Sequence, residues 1–340
     1  MIRRPASQQS VLPGLRLRAY AGESDIPAIV DIQNAENEAD RIPERTSAGE
    51  RRAEYRHASD SFDAARDLTM AELDGRPVAF ATREWVDAHD AHLREYRVGG
   101  AVLPEFRGRG IGSALLAENE RRSRELATTH DTDRDKVLGT FTGEQQAGAR
   151  ALLAGDGYSE VRWFFEMLRP TLDEVPDVRL PEGLEVRPIT PDLYRRVWEA
   201  DMDAFRDHWG GHDDSPEAMQ RFLDGPDTDP SLWLVAFDGD EIAGGVINGI
   251  YRAENAELGV ERGWLDSVFT RRAWRRRGLA RALIARSLLL LREQGMTEAM
   301  LGVDADNPTG ALGLYEGVGF SVKSRYSAWR RPFEPGEAEA

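Results

Sequence analysis

The chain has no cysteine. That excludes disulfides, thiolate metal sites, iron–sulfur clusters and a cysteine nucleophile. Histidine is scarce, at six residues in 340, and no His-Glu-x-x-His spacing occurs, so no metal centre is expected. Lysine is rarer still: Lys136 and Lys323 stand alone, and arginine supplies the rest of the basic charge. An excess of positive charge is also missing. The 60 acidic and 44 basic residues leave a formal net charge of −16, which argues against nucleic-acid and membrane-surface binding but allows a local basic pocket. No apolar run approaches the roughly 18 residues of a membrane span. The opening segment has two arginines and no apolar stretch behind them, so no secretory signal is read and a cytoplasmic location is expected.

What is present is the profile of a folded globular protein, 41% hydrophobic and 31% charged. A length of 340 residues fits two domains. The chain also repeats itself with a period of about 165 residues. Four landmarks recur in order. An opening strand, Leu15–Tyr20, is matched by Leu184–Ile189, each followed by a helix-start signal. A strand–turn–strand hairpin, Leu68–Leu73, Asp74–Gly75 and Pro77–Ala81, is matched by Leu232–Phe237, Asp238–Gly239 and Ile242–Ile247. A strand entering an arginine- and glycine-rich turn and a helix, Gly99–Leu116, is matched by Leu265–Ile284. A closing segment, Ala151–Tyr158, is matched by Gly313–Phe320. Between the halves, 169–183 holds three prolines and several acids and reads as a linker. The expected organisation is a tail at 1–13, an α/β domain at 14–168, the linker at 169–183, a second α/β domain of the same build at 184–332 and a tail at 333–340.

The turn has evident chemistry. In Arg275, Arg276, Arg277, Gly278, Leu279, Ala280 and Arg281 a strand precedes the turn, and an amphipathic helix from about Leu279 to Gln294 follows, with Gly295 as its stop. The first amides of a helix lack partners, point outward and carry the positive end of the dipole, so they can cradle a phosphate. Gly278 and Ala280 keep side chains out of the way, and the arginines add charge. The first half carries the same equipment in Arg107, Gly108, Arg109, Gly110, Ile111, Gly112 and Ser113. Two rival motifs are absent. No Gly-Lys-Ser/Thr marks a P-loop, and the third glycine of a dinucleotide fingerprint is replaced by Ser113.

A strand leading into Arg/Gln-x-x-Gly-x-Gly/Ala, then a strand–helix unit ending in Asn307, Tyr315 and Gly319-Phe320, resembles the GCN5-related N-acetyltransferase (GNAT) superfamily. The resemblance spans both halves, about 300 residues, and the tandem layout is similar to actinobacterial mycothiol synthase-like acetyltransferases. It implies an α/β, layered α+β fold: two tandem GNAT domains, each a mixed, mostly antiparallel sheet flanked by helices, with its fourth and fifth strands splayed. It implies acetyl-CoA as donor, with pantetheine lying between those strands, and a small-molecule amine as acceptor. Carried onto this sequence, the loop amides from Arg275 to Arg281 would hold the CoA pyrophosphate, the backbones of Val268, Phe269 and Thr270 would pair with pantetheine, and Asn307 would touch the cofactor. In the first half the matching positions are Gly100–Val102 and Arg107–Ser113.

Acyl transfer from a thioester to an amine needs a proton taken from the amine and one given to the departing thiolate. Tyr315, five residues before Phe320, stands where the family places the thiolate's acid. The first half has Leu153 there, and Gln145 in place of Asn307. Leucine cannot donate a proton, so the first half is expected to be catalytically degenerate and the second catalytic. Asp266 is the candidate base, expected by alternation on the strand face of Val268 and Thr270. The family often uses a glutamate two residues earlier, where this chain has Trp264; Glu257 and a water relay are the fallbacks. Asp213, Asp214 and Glu217 either attract a cationic amine or form a helix-start signature, the second being favoured. His208 and Trp209 are candidates for the acceptor wall, with packing the more ordinary role. The leading expectation is an N-acetyltransferase acting on a primary amine, with no nucleic-acid or membrane partner, as a monomer or weak homodimer. The alternative is a non-catalytic acyl-CoA sensor or scaffold; a longer or amino-acylated donor also stays open.

Overall fold

The structure, a computed structural model, describes residues 12–88, 91–206, 208–307 and 310–333. The expected tails lie almost entirely outside these residues. The chain forms two compact units: unit 1 of Met1–Asp87, Leu93–Glu160 and Trp329–Ala340, and unit 2 of Ala88–His92 and Val161–Ala328. Two strand segments thus fall in the other half from the one the boundaries 14–168 and 184–332 give them: Val161–Leu168 counts with unit 2, and Trp329 onward with unit 1.

Unit 1 contains β1 (Leu15–Ala19), α1 (Ile26–Asp40), α2 (Ala48–Arg56), α3 (Ala64–Asp67), β2 (Leu68–Leu73), β3 (Arg76–Asp87), β4 (Leu93–Val102), α4 (Ile111–Thr129), β5 (Asp135–Gly143) and α5 (Ala147–Gly155). β6 (Ser159–Arg169) leads into unit 2, with β7 (Leu184–Arg187), α6 (Tyr194–Phe205), α7 (Pro216–Leu223), β8 (Leu234–Asp238), β9 (Glu241–Gly249), α8 (Arg252–Leu258), β10 (Arg262–Thr270), α9 (Leu279–Glu293), β11 (Glu298–Asp304) and α10 (Ala311–Glu316). The last strand, β12 (Ser321–Pro332), belongs to unit 2 up to Ala328 and to unit 1 from Trp329.

Each sheet is mixed and mostly antiparallel, as expected. In unit 1 the order is β1-β2-β3-β4-β5, followed by the end of β12. In unit 2 it is β7-β8-β9-β10-β11-β6, followed by the body of β12. One pair in each sheet is parallel, β4 with β5 and β10 with β11. The parallel ladders are short. β4 and β5 pair only from Leu93↔Asp135 to Arg97↔Gly139, and β10 and β11 only from Arg262↔Glu298 to Leu265↔Leu301. Beyond those points the strands part, leaving Val98–Val102 and Asp266–Thr270 along an open edge.

Local chemistry explains the elements. The β2–β3 turn has Asp74 at φ 52° and Gly75 at φ 83°, the left-handed pair that suits the twist of a two-residue hairpin. α2 starts with a capping box, Ser47 and Glu50 satisfying each other's backbone N–H. α9 buries Leu279, Leu283, Leu288 and Leu291 against β9, β10 and β11, each contributing about 2 kcal/mol by leaving water. On the other face of the unit 2 sheet, α6 lays Val197 and Ala204 against Phe237, Ile247 and Phe269. The corresponding core in unit 1 joins Ile29 and Ile32 of α1 and Ile111 and Leu115 of α4 to Met70 and Phe80.

Candidate active site

In unit 2 the parting of β10 from β11 opens a cleft of about 960 Å³. The N-terminus of α9 closes one end. Gly278 caps that helix at φ 86°, a left-handed conformation natural to glycine. Arg276 holds φ 60° just before it, which costs a non-glycine residue about 1–2 kcal/mol. These turns aim the loop amides outward. The first backbone bond of the helix runs from Ala282 N–H to the Gly278 carbonyl, 3.1 Å, so the amides from Arg276 to Arg281 have no backbone acceptor among the described residues. Space beyond Gly278 is open: nothing lies within 4 Å of where a Cβ would sit. Arg276 and Arg277 are exposed and have no ion-pair partner among the described residues. This is a positively polarised cradle that fits a pyrophosphate.

Arg275 is placed differently from its neighbours. Its N–H donates to the Arg272 carbonyl, and its guanidinium bonds the Thr270 and Ala204 carbonyls, both at 3.0 Å. It ties the loop to the end of α6. Arg281 reaches the Gly317 carbonyl at 3.4 Å. The strand edge from Val268 to Thr270 lines the cleft, as do Asn307, Ala311 and Tyr315.

Tyr315 lies on α10, buried, with its ring edge-on to Phe320 at 6.2 Å. Burial pushes its phenol up to about 12, so it is fully protonated at neutral pH. Its hydroxyl has no protein partner among the described residues.

Asp266 departs from the alternation expected of it. The register of β10 on β9 slips between Leu265 and Ser267, so Asp266 is the extra residue of a β-bulge, a device that re-aims a side chain. Val268 packs with Leu265 on the α9 side, whereas Ser267 donates to Asp201 of α6 at 2.6 Å. Asp266 lies over Gly249, where a Cβ would come within 2.4 Å of its Oδ2. The bulge, not alternation, decides its direction, and Asp266 does not share the face of Val268. By surface area Asp266 is exposed along the cleft, although protein atoms crowd around its carboxyl. That desolvation pushes its pKa up to about 7, against a hydrogen bond from Tyr251 and with a small push from Glu254.

A smaller cavity of about 190 Å³ meets the cleft at Asp266 and Ser267, which line both. Its other walls include Trp198, Asp201, Phe222 and Trp233. Asp201 is buried, and desolvation pushes it up to about 6 despite the hydrogen bond from Ser267. Nothing had singled this residue out in the sequence. The signal was there: Tyr194, Val197, Trp198, Asp201 and Phe205 fall on one face of α6, an acid within an apolar stripe. Glu257 lines neither cavity. His208 lines the large cleft, and Trp209 sits 5.8 Å from Phe164, ring to ring. Ser215 caps α7 through Ala218 N–H, and Asp213 pairs with Arg221 at 2.7 Å, the helix-start arrangement that was favoured.

Unit 1 repeats the cradle with a difference. Gly108 and Gly110 hold φ 73° and 84°, Gly110 caps α4, and the amides from Gly108 to Ser113 have no backbone acceptor among the described residues. The cleft between β4 and β5 is smaller, about 380 Å³, and Leu153 lines it. Arg107 pairs with Asp40 at 2.7 Å and Glu36 at 3.1 Å. Glu36 also accepts the Val102 N–H at 3.4 Å, an amide on the strand edge that the resemblance assigns to pantetheine. Burial pushes Glu36 up to about 7 against the opposing pull of Arg107. No group of three or more histidine, aspartate or glutamate side chains poised to hold a metal occurs among the described residues.

The comparisons with known proteins agree with this geometry. The pattern of the acetyltransferase (GNAT) family matches residues 194–320, and that of an acetyltransferase (GNAT) domain matches 65–147. A mycothiol acetyltransferase of Thermobispora bispora is 32% identical over 222 residues, covering 65% of this chain and 70% of that one. One from Geodermatophilus obscurus is 27% identical over 318 residues, 90% and 94% of the two chains. Among solved structures, a GCN5-related N-acetyltransferase from Sphaerobacter thermophilus superposes with a TM-score of 0.70 at 27% identity, covering 95% of this chain and 97% of that one. A tandem GNAT protein from the clavulanic acid biosynthesis pathway shares the fold, with a TM-score of 0.65 at 19% identity over 94% and 98% of the chains. Two splayed sheets, two glycine-capped anion cradles and these relatives together make the chain a member of the GNAT family, a tandem N-acetyltransferase of the mycothiol synthase type.

Proposed function

We propose that unit 2 transfers an acetyl group from acetyl-CoA to the primary amine of a small molecule. One observation carries the reading: a base and an acid of suitable pKa line the same cleft as the unpaired amides of α9.

The cradle fits the anionic end of acyl-CoA, with Arg276 to Arg281 as its ligands, and the unpaired edge at Val268 and Phe269 fits an extended chain laid along it. Asn307 stands at the same cleft as a further contact. Bound acyl-CoA supplies an activated thioester carbonyl. Asp266 receives the proton of the acceptor's amine at Oδ, and a pKa near 7 makes it half carboxylate at neutral pH yet basic enough to accept. Tyr315 holds a proton at its hydroxyl and presents it toward the cleft for the sulfur that must leave as a thiol. Arg275 positions rather than binds, joining the loop to α6.

Unit 1 has Leu153 where unit 2 has the tyrosine, which supports a non-catalytic role. Its loop from Arg107 to Ser113 would hold a second CoA if Glu36 released Val102.

The test is acetylation of an amine panel by wild type and Tyr315→Phe, with acyl-CoA affinity measured by calorimetry. The expected result is a kcat lowered about 10²-fold or more with affinity for CoA unchanged. Unchanged kcat would remove Tyr315 from the chemistry.

A further inference from the structure

The 190 Å³ cavity beside the cleft has a chemistry that the reading above leaves unused. Four of its aromatic walls are locked against one another: Trp198 on Phe222 at 5.8 Å, Phe222 on Trp233 at 5.8 Å, and Tyr194 on Trp233 at 5.5 Å between ring centroids. Val197, Leu223 and Ile247 complete an apolar lining, and Met219 adds an adaptable one. Two carboxyls, Asp201 and Asp266, stand in this lining, and neither arginine nor lysine does. Asp201 is buried, whereas Asp266 is exposed toward the cleft; a buried carboxylate is ordinarily paired with a cation. Here the protein partners are neutral donors, Ser267 for Asp201 and Tyr251 for Asp266. The pocket therefore lacks a positive charge at the point where it opens on the catalytic cleft, and its aromatic faces also favour a cation or an apolar ring.

Size limits the occupant. Sites for drug-sized molecules are roughly 300–1,000 Å³; one of about 190 Å³ takes a single ring or a short alkyl chain. A sugar would leave its hydroxyls against Trp198, Phe222 and Trp233 without partners, and each desolvated hydroxyl is costly.

Resting on the acyl-transfer reading of unit 2, we propose that this cavity is the acceptor site and that it selects compact primary amines with an apolar, ring-bearing or short alkyl group. The ammonium sits between Asp201 and Asp266, and the apolar group lies among Trp198, Phe222 and Trp233. Asp266 then removes the proton of the amine it has helped to bind, and Asp201 determines specificity without touching the donor.

The experiment measures both binding and turnover on the full chain with 2-phenylethylamine and glucosamine as probes. Binding is read by calorimetry in the presence of CoA, and turnover by release of free thiol from acetyl-CoA. The variants are Trp198→Ala, which removes a partly exposed wall, and Asp201→Asn, which keeps shape and removes charge. Wild type is expected to favour 2-phenylethylamine at least tenfold in kcat/KM, and each variant to raise its KM at least tenfold with affinity for CoA held. Binding of 2-phenylethylamine that both variants weaken, without turnover, upholds the pocket and sinks the catalytic reading. Turnover of glucosamine with no preference for 2-phenylethylamine overturns the pocket and leaves catalysis standing. Equal preference in wild type and both variants also overturns it.

Discussion

The assignment of Asp266 as the base makes a quantitative prediction about pH. Its pKa of about 7 places about 9% of the enzyme in the carboxylate form at pH 6 and about 91% at pH 8, from the ordinary titration curve. The acceptor amine titrates as well, which would obscure a simple rate profile. Dividing kcat/KM of the wild type by that of Asp266→Asn at each pH removes the amine's own ionisation. That ratio should rise about tenfold from pH 6 to pH 8 and level off at about 10²–10⁴, the span expected of a general base. The groups around the carboxyl set the midpoint. Tyr251 lowers it and Glu254 raises it, so Tyr251→Phe should move the midpoint up and Glu254→Gln should move it down. The assay is initial-rate thiol release at fixed saturating acetyl-CoA. A flat ratio, or a break near pH 4 as for an ordinary carboxylate, would refute Asp266 as a base made by desolvation. The same shift bears on stability. A carboxyl whose folded pKa lies above its unfolded value favours the folded state most at low pH, and the benefit is lost as pH rises from about 4 through about 7. Asp266→Asn should therefore raise Tm relative to wild type at pH 8, and the gain should shrink toward pH 4.

The anion cradles make a paired prediction: Gly278→Glu should abolish turnover and acyl-CoA binding in unit 2 by charge and by its unfavourable φ of 86°, while Gly110→Glu should leave turnover within about twofold, both read by calorimetry and initial rates. Because Glu36 takes the Val102 N–H and neutralises Arg107, wild type should titrate with one strong acyl-CoA site, and Glu36→Ala should add a second; two equal sites in wild type would show that Glu36 is no obstacle. In unit 1, Arg331 pairs with Glu120 at 2.7 Å and Asp156 at 2.6 Å. Arg331→Met leaves the buried Glu120 carboxyl with the Tyr158 hydroxyl and with Arg124 at 3.2 Å, and should cost about 2 kcal/mol in urea unfolding, the worth of a hydrogen bond to a charged group.

Much of the molecule could be read along the chain. The hairpin turn at Asp74–Gly75, the helix starts at Gly110 and Gly278, and the contrast of Tyr315 with Leu153 are local facts; the second hairpin turn falls at Gly239–Asp240, one residue past the expected Asp238–Gly239, because β8 runs on to Asp238, and the structure brings the expected residues of unit 2, Arg277 apart, to one cleft. The misplaced residue, Asp266, shows why strand alternation has limits. One bulge shifts every later side chain by a position, and a bulge depends on the partner strand β9, not on β10 alone. Arg275 and Arg107 read as phosphate ligands because charge is visible in sequence and partners are not; the structure gives the first to carbonyls and the second to acids.

The sequence by itself determined the repeat, the α/β build of each half, the position of the glycine-capped helix starts and the half that keeps a tyrosine, Tyr315, where the other has Leu153. These follow from turn chemistry, helix capping and periodicity, all of which act within a few residues. Only the tertiary structure decided which way Asp266 points, that Asp201 joins it across some 65 residues of chain, that Glu36 caps the edge of β4, and which unit takes the ends of β6 and β12. Those outcomes rest on strand register and on desolvation by distant neighbours, and neither is encoded at the positions they govern.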